Sequence, residues 1–249
     1  MLKLPYVLTL IAFLASCAPK LAKVGSSQKL IKITANNQSV PDSAIYKFIL
    51  PYKHQLDSKM KEVIGVTESD LTKKLPTGSL GSIFCDALID YTKRVNNTLP
   101  AVDFCLMNHG GIRIGSISKG PITVNTAYEL MPFENELVIL KLDGNYCLEL
   151  FNTIAAEGGA PVSGIRFKIA DNKPTDIFIN GMAFNVNKTY YILTSDYLAN
   201  GGDKAEAMKH ASQLIPLGVK IRDAFIDELK HKHKNGITIQ APADERITN

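Results

Sequence analysis

Several familiar signatures of chemistry are missing from this chain. Its four cysteines include no C-x-x-C pair, which removes the usual sequence sign of a zinc or dithiol redox site. No G-x-G-x-x-G is present and no lysine follows a glycine loop as in a P-loop, so the two common phosphate cradles are excluded. There is no G-x-S-x-G elbow and no clear nucleophilic triad. The net charge is only +4 and the basic residues are scattered. They form no stripe with interleaved aromatics, so a nucleic-acid polymer is not an expected partner. The apolar stretch Val7 to Leu14 is too short to span a bilayer.

What is present suits a globular protein. At 249 residues, with 45% apolar and 21% charged residues, the chain can bury a full core in one domain or in one domain plus a small appendage. Seventeen Gly and twelve Pro favour strands and loops over a helical bundle. Lys3 and the stretch from Val7 predict a targeting segment. It ends in Leu14-Ala15-Ser16-Cys17, which resembles the bacterial lipobox; a plain secretory signal with a chance cysteine is the competing reading. The expected organisation is a lipoprotein signal peptide over 1–16, a lipidated tether over 17–28 starting at Cys17, and one domain over 29–249. That places the chain outside the cytoplasm of a bacterium, at a membrane. The remaining Cys85, Cys105 and Cys147 have apolar or aromatic neighbours and are expected to be buried small hydrophobes.

Periodicity predicts interleaved elements. Leu30–Thr34 is expected as a first strand. Asp42-Ser43 opens a helix that Pro51 ends or bends, and 54–63 continues as helix or extended chain. Ser79 is expected to cap a helix with Ile83, Phe84, Ala87, Leu88 and Tyr91 on one face. Strands are expected at 102–107, 137–142, 165–169, 177–179 and 190–194. Short and long helices are expected from Asn125 or Thr126, over 145–156, and over 217–230; Ile237–Ile239 is a candidate last strand. The irregular alternation, with a hairpin around Asn172, predicts an α+β fold: a mixed β-sheet packed with α-helices.

Three loops stand out. The first, Asn108-His109-Gly110-Gly111-Ile112-Arg113, follows an apolar strand. Gly110 and Gly111 allow close backbone approach, Arg113 brings a planar fork of donors, and Asn108 both donates and accepts. A strand-ending turn with a structural arginine fits the same residues. The second loop is Leu130-Met131-Pro132-Phe133-Glu134-Asn135, and the third runs from Ser195 to Asp203 through Tyr197. Two loop aromatics beside an arginine and a carboxylate would suit a planar base.

Together "NHGGIR", "MPFEN" and "YLANGGD", in that order, resemble the C-terminal domain of the 5'-nucleotidases, a family that includes the UDP-sugar hydrolases and 2',3'-cyclic nucleotide phosphodiesterases. The likeness runs from about Leu71 to the last helix. It implies the nucleoside-binding half of an active site, with substrate contacts at Asn108, Gly110, Gly111 and Arg113, base-stacking rings at Phe133 and Tyr197, and a ribose-binding carboxylate at Asp203. Family members usually carry Phe where this chain has Tyr197, so the added hydroxyl needs a partner or solvent. They commonly place another arginine before the helix starting near Ser79; here Lys73 and Lys74 stand instead. Lys204 occupies the position after Asp203 where the family has Gly.

The resemblance also implies an N-terminal dimetal phosphatase domain, and its D-x-H, G-D-x-x-D and G-N-H-[DE] motifs do not occur here. His231-Lys232-His233 matches H-x-H only superficially, within a basic helix end, and His54 and His210 are isolated. His109 could orient a phosphate or simply face outward. The chain is therefore expected to hold no metal and no cofactor of its own, to carry no catalytic residue, and to be inactive alone. The first reading is the nucleotide- or nucleoside-binding part of a 5'-nucleotidase-type hydrolase in nucleotide catabolism, working with a separately encoded metallophosphatase subunit that supplies the divalent metals. The alternative is a non-catalytic nucleotide- or nucleoside-binding surface lipoprotein. A structural domain that has lost its ligand is a third, against which the retention of all three loops weighs.

Overall fold

A computed structural model describes residues 25–30, 43–95, 98–243 and 245–249. The signal segment, Cys17 and residues 31–34 of the expected first strand lie outside the described residues. The chain divides into two compact units, Met1–Ile49 and Leu50–Asn249. Helix α1 (Ser43–Met60) runs through Pro51 and buries none of its side chains. Of the expected end or bend at that proline, the end is not observed, and the chain from His54 continues as helix to Met60.

The second unit is built on a five-stranded sheet of order β12-β6-β11-β3-β7. Its strands are β3 (Phe104–Leu106), β6 (Glu136–Asp143), β7 (Val162–Ser163), β11 (Thr189–Ser195) and β12 (Gln213–Lys220). β11 pairs parallel to β3 and antiparallel to β6, so the sheet is mixed, as the sequence predicts. Strands buried on both faces read as nearly continuous apolar runs, which is what 104–107 and 137–142 are. Side chains alternate across the pleat. Cys105, Leu137, Ile139 and Leu193 join one core with helices α2 (Ser79–Val95) and α6 (Ile221–Lys234), including Phe84 and Phe225. Phe104, Val138, Leu140 and Ile192 join the other core with α4 (Gly144–Ala156), including Phe151. Burying each such side chain contributes about 1.5–3 kcal/mol. Cys85, Cys105 and Cys147 are free thiols inside these cores, as expected.

Smaller sheets flank this frame. β1 (Val63–Thr67) pairs with β5 (Gly120–Thr123), and β2 (Leu71–Thr72) with β4 (Ser116–Ile117). A four-stranded sheet orders β10 (Met182–Ala183), β9 (Lys173–Ile179), β8 (Ile165–Ala170) and β13 (Ile247–Thr248). β8 and β9 form the expected hairpin.

Four local readings are corrected. The last helix begins at Ile221, not Leu217. Residues 213–220 alternate in burial and pair with β6 as an edge strand, so Leu217 and Val219 belong to a period of two, not to a helical face. The short helix α3 (Val124–Leu130) is capped by Thr123, whose hydroxyl accepts from the Thr126 amide in a capping box. Ser79, expected as the cap before α2, is instead the first residue of that helix, and its hydroxyl accepts from the Thr72 amide at 2.9 Å, tying α2 to β2. Ile239 makes only an isolated parallel bridge to Thr67, and the C-terminal strand is Ile247–Thr248.

Candidate functional site

Topology brings the three loops together. β3 and β11 are parallel neighbours, with Leu193 opposite Cys105, so both C-terminal ends lie at one edge of the sheet. β6 is antiparallel to β11, with Leu137 opposite Ser195, so its N-terminal end lies at that same edge. The loop leaving β3 is the asparagine–glycine loop, the one entering β6 holds Phe133, and the segment leaving β11 holds Tyr197, on the short helix α5 (Asp196–Ala199), and then Asp203. All seven substrate-contact candidates, Asn108, Gly110, Gly111, Arg113, Phe133, Tyr197 and Asp203, line one cavity of about 340 Å³.

Asp203 is the most constrained of them. Its backbone lies in the left-handed region at φ 48°, ψ 42°, followed by Lys204 at φ 63°. Asp tolerates that region better than most residues, and Lys204 occupies a conformation that glycine adopts without strain. Lys204 also reaches Glu157 at 2.6 Å. Both Asp203 oxygens already accept hydrogen bonds. The Asn108 amide donates to Oδ2 at 2.7 Å, and the Tyr197 hydroxyl donates to Oδ1 at 2.8 Å. The hydroxyl that distinguishes Tyr197 from Phe thus has a partner, and the bond to Asp203 raises the phenol above its ordinary pKa.

Two glycines permit this arrangement. A Cβ at Gly111 would lie 2.6 Å from Asn108 Oδ1, whereas one at Gly110 would make only ordinary contacts. A Cβ at Gly202 would lie 2.4–2.6 Å from Cζ, Cε1 and Cε2 of Tyr197. The distal end of the ring therefore lies against Gly202, where a side chain would collide with it.

Phe133 is 41% exposed and Tyr197 43%, a high exposure for large rings that are otherwise firmly held. The Phe133 loop is pinned by Arg222, which is 4% exposed. Its Nη1 donates to the carbonyls of Met131 and Phe133 at 3.3 Å, and its Nη2 to Glu134 Oε1 at 2.6 Å. Tyr128 lies beneath the guanidinium, 4.1 Å away. Hydrogen bonds from Lys220 and Arg222 hold Glu134 down to a pKa of about 2. Asn135 donates to Asp196 Oδ1 at 2.9 Å, and the Tyr197 amide donates to the same oxygen at 2.7 Å, so the second and third loops are locked together. Arg222, Asn135 and Asp196 were not among the candidates. Arg222 had a legible signal: it precedes Phe225 and Ile226 by three and four residues, which puts an arginine on the apolar face of α6.

Arg113 donates to the Gly110 carbonyl at 3.2 Å, and its guanidinium lies 5.7 Å from the Phe133 ring centre. Such an arrangement offers a half-exposed aromatic wall, a pre-set carboxylate and a cation at one rim. Among the described residues, no three His, Cys, Asp or Glu side chains converge as metal ligands, so no step through a metal is assigned to them.

Comparison with known proteins identifies the family of the chain. A profile of "5'-nucleotidase, C-terminal domain" matches residues 62–210. The chain belongs to the 5'-nucleotidase C-terminal domain family. It is 27% identical over 191 residues to a 5'-nucleotidase of Vibrio vulnificus, covering 73% of this chain and 33% of that protein. It is 28% identical over 188 residues to Protein UshA of Escherichia coli, covering 72% and 32%. The crystal structure of a 5'-nucleotidase precursor from Thermus thermophilus superposes with a TM-score of 0.69 at 26% identity, over 83% of this chain and 43% of that one. The chain thus spans about a third of the length of the curated relatives compared.

Within this 5'-nucleotidase C-terminal domain, the two lysines that stand where an arginine is common part company. Lys74 pairs with Glu245 at 2.6 Å. Lys73 turns to the first loop, donating to the Ile112 carbonyl at 2.7 Å. Burial and the neighbouring Arg113 lower its pKa, and burial and Lys73 lower that of His109. Lys73, His109 and Arg113 thus form a basic cluster around the first loop, with the imidazole biased towards neutrality.

Proposed function

We propose that this domain binds a nucleotide through its nucleoside end, as the substrate-holding part of a 5'-nucleotidase-type hydrolase in nucleotide catabolism. Phe133 and Tyr197 stack on the base, Asp203 accepts from the sugar hydroxyls, and Asn108, Gly110, Gly111 and Arg113 frame the sugar and phosphate side. The observation that carries this reading is the convergence of all seven residues, from three loops, on one cavity of about 340 Å³, a volume at the small end of ligand sites. The dimetal hydrolysis that the resemblance implies would need a metal-supported centre to activate water and stabilise the leaving oxygen. A separately encoded dimetal phosphatase chain would supply that centre and its divalent metals. The Cys17 lipid would hold the domain at a membrane outside the cytoplasm. A nucleotide-binding lipoprotein without a hydrolytic partner is the second reading, and it shares the same pocket.

Calorimetric titration with AMP and adenosine tests the assignment. Arg113→Ala is expected to weaken AMP by about tenfold, the effect of losing a charge-assisted contact worth about 1.5 kcal/mol, and adenosine by less than threefold. Equal losses for both ligands would remove Arg113 from the phosphate side.

A further inference from the structure

We infer that Tyr197 is a latch on the Asp203 carboxylate, so that a sugar with a free vicinal diol binds by displacing a phenol and the hydroxyl of Tyr197 sets the pocket's discrimination between ribose and 2'-deoxyribose. The inference rests on the nucleoside reading of the cavity proposed above.

A carboxylate that receives a vicinal diol uses both oxygens, one for each hydroxyl. In the ligand-free chain neither oxygen is idle: Asn108 donates to Oδ2 and Tyr197 to Oδ1, at 2.7 and 2.8 Å. The two donors differ in what could move them. The Asn108 amide is confined, because its own Oδ1 lies against Gly111, where even a Cβ would approach to 2.6 Å. Tyr197 is 43% exposed and rests on Gly202, so its hydroxyl can exchange Asp203 for water by a small swing of the ring. A 3'-hydroxyl takes the second lone pair of Oδ2, beside the Asn108 amide, and we place the 2'-hydroxyl at the lone pair of Oδ1 that the phenol holds. A 2',3'-diol gains a second bond only by opening it, and most of that gain is offset by the bond lost.

A phenylalanine at 197 would keep the ring and its seat on Gly202 and remove the competitor. Titration calorimetry on the full chain, wild type and Tyr197→Phe, with adenosine and uridine, their 2'-deoxy counterparts, and adenine and uracil, separates ring from hydroxyl. Wild type is expected to favour each ribonucleoside over its deoxy form by less than threefold. Tyr197→Phe is expected to bind the ribonucleosides about five- to tenfold tighter, with the deoxynucleosides and free bases within twofold of wild type. A ribo-to-deoxy ratio that is unchanged or smaller in Tyr197→Phe, with base binding intact, overturns the latch and leaves the nucleoside reading standing. Absence of binding by every nucleoside and base to both proteins overturns the nucleoside reading and the latch together.

Discussion

Gly111 shows how much a single missing carbon can control. The Asn108 amide reaches Asp203 only because nothing projects from residue 111. Gly111→Ala is expected to leave the fold intact and to push the Asn108 amide out of its place in the pocket, weakening adenosine by about tenfold through the loss of the sugar-side contact proposed for Asn108, roughly the upper end of one hydrogen bond. Calorimetry on a variant with an unchanged circular dichroism spectrum checks it. At this scale the sequence was informative about chemistry and, beyond an arginine on the apolar face of α6, said little about support. Asn108, Arg113, Phe133, Tyr197 and Asp203 could be singled out because motif order identified them. Asn135, Asp196 and Arg222 act through contacts 61 to 91 residues apart in the chain, and no local pattern encodes those pairs. The partner of the Tyr197 hydroxyl was likewise unreadable, because it depends on a turn in the left-handed region.

Among the elements, the loop entering β6 illustrates how a helix holds a binding surface. Arg222 on α6 clamps the Met131 and Phe133 carbonyls and Glu134. Because the pKa of Glu134 in the folded chain is about 2, below its ordinary 4.5, its contribution is fully present above about pH 4.5 and is lost as pH falls towards 2. The difference in melting temperature between wild type and Glu134→Gln is therefore expected to be constant from neutral pH down to about 5 and to shrink between 4.5 and 2. High salt should reduce it, since Glu134 is exposed. A difference that grows on acidification would contradict the clamp. Helices and buried strands were legible because their periods are strong. The edge strand 213–220 was not, because Leu214, Leu217 and Ile221 also match a helical spacing and only pairing with β6 decides between the two periods.

For the whole molecule, the mixed sheet explains why three loops from distant parts of the chain line one cavity, and the chain belongs to the 5'-nucleotidase C-terminal domain family. The fold class was readable from the irregular alternation of strands and helices. The strand order was not, since pairing of β11 between β6 and β3 is set by long-range packing. Anchoring belongs to this scale too. Among the described residues no helix is long and apolar enough to cross a membrane, and the proposed attachment rests on Cys17. Wild type expressed with its own signal segment is expected to enter the detergent phase and Cys17→Ser the aqueous phase; aqueous partitioning of both would remove the lipid anchor.

The central claim is that Phe133 and Tyr197 hold a base between them. Equilibrium dialysis of labelled adenosine against wild type, Phe133→Ala and Tyr197→Ala tests it most directly, with thermal melts confirming that each variant is folded. Stacking on an aromatic ring contributes about 1–3 kcal/mol per base, so each alanine variant is expected to bind about ten- to a hundredfold more weakly than wild type. Wild-type affinity in both folded variants would contradict the sandwich and the site built around it.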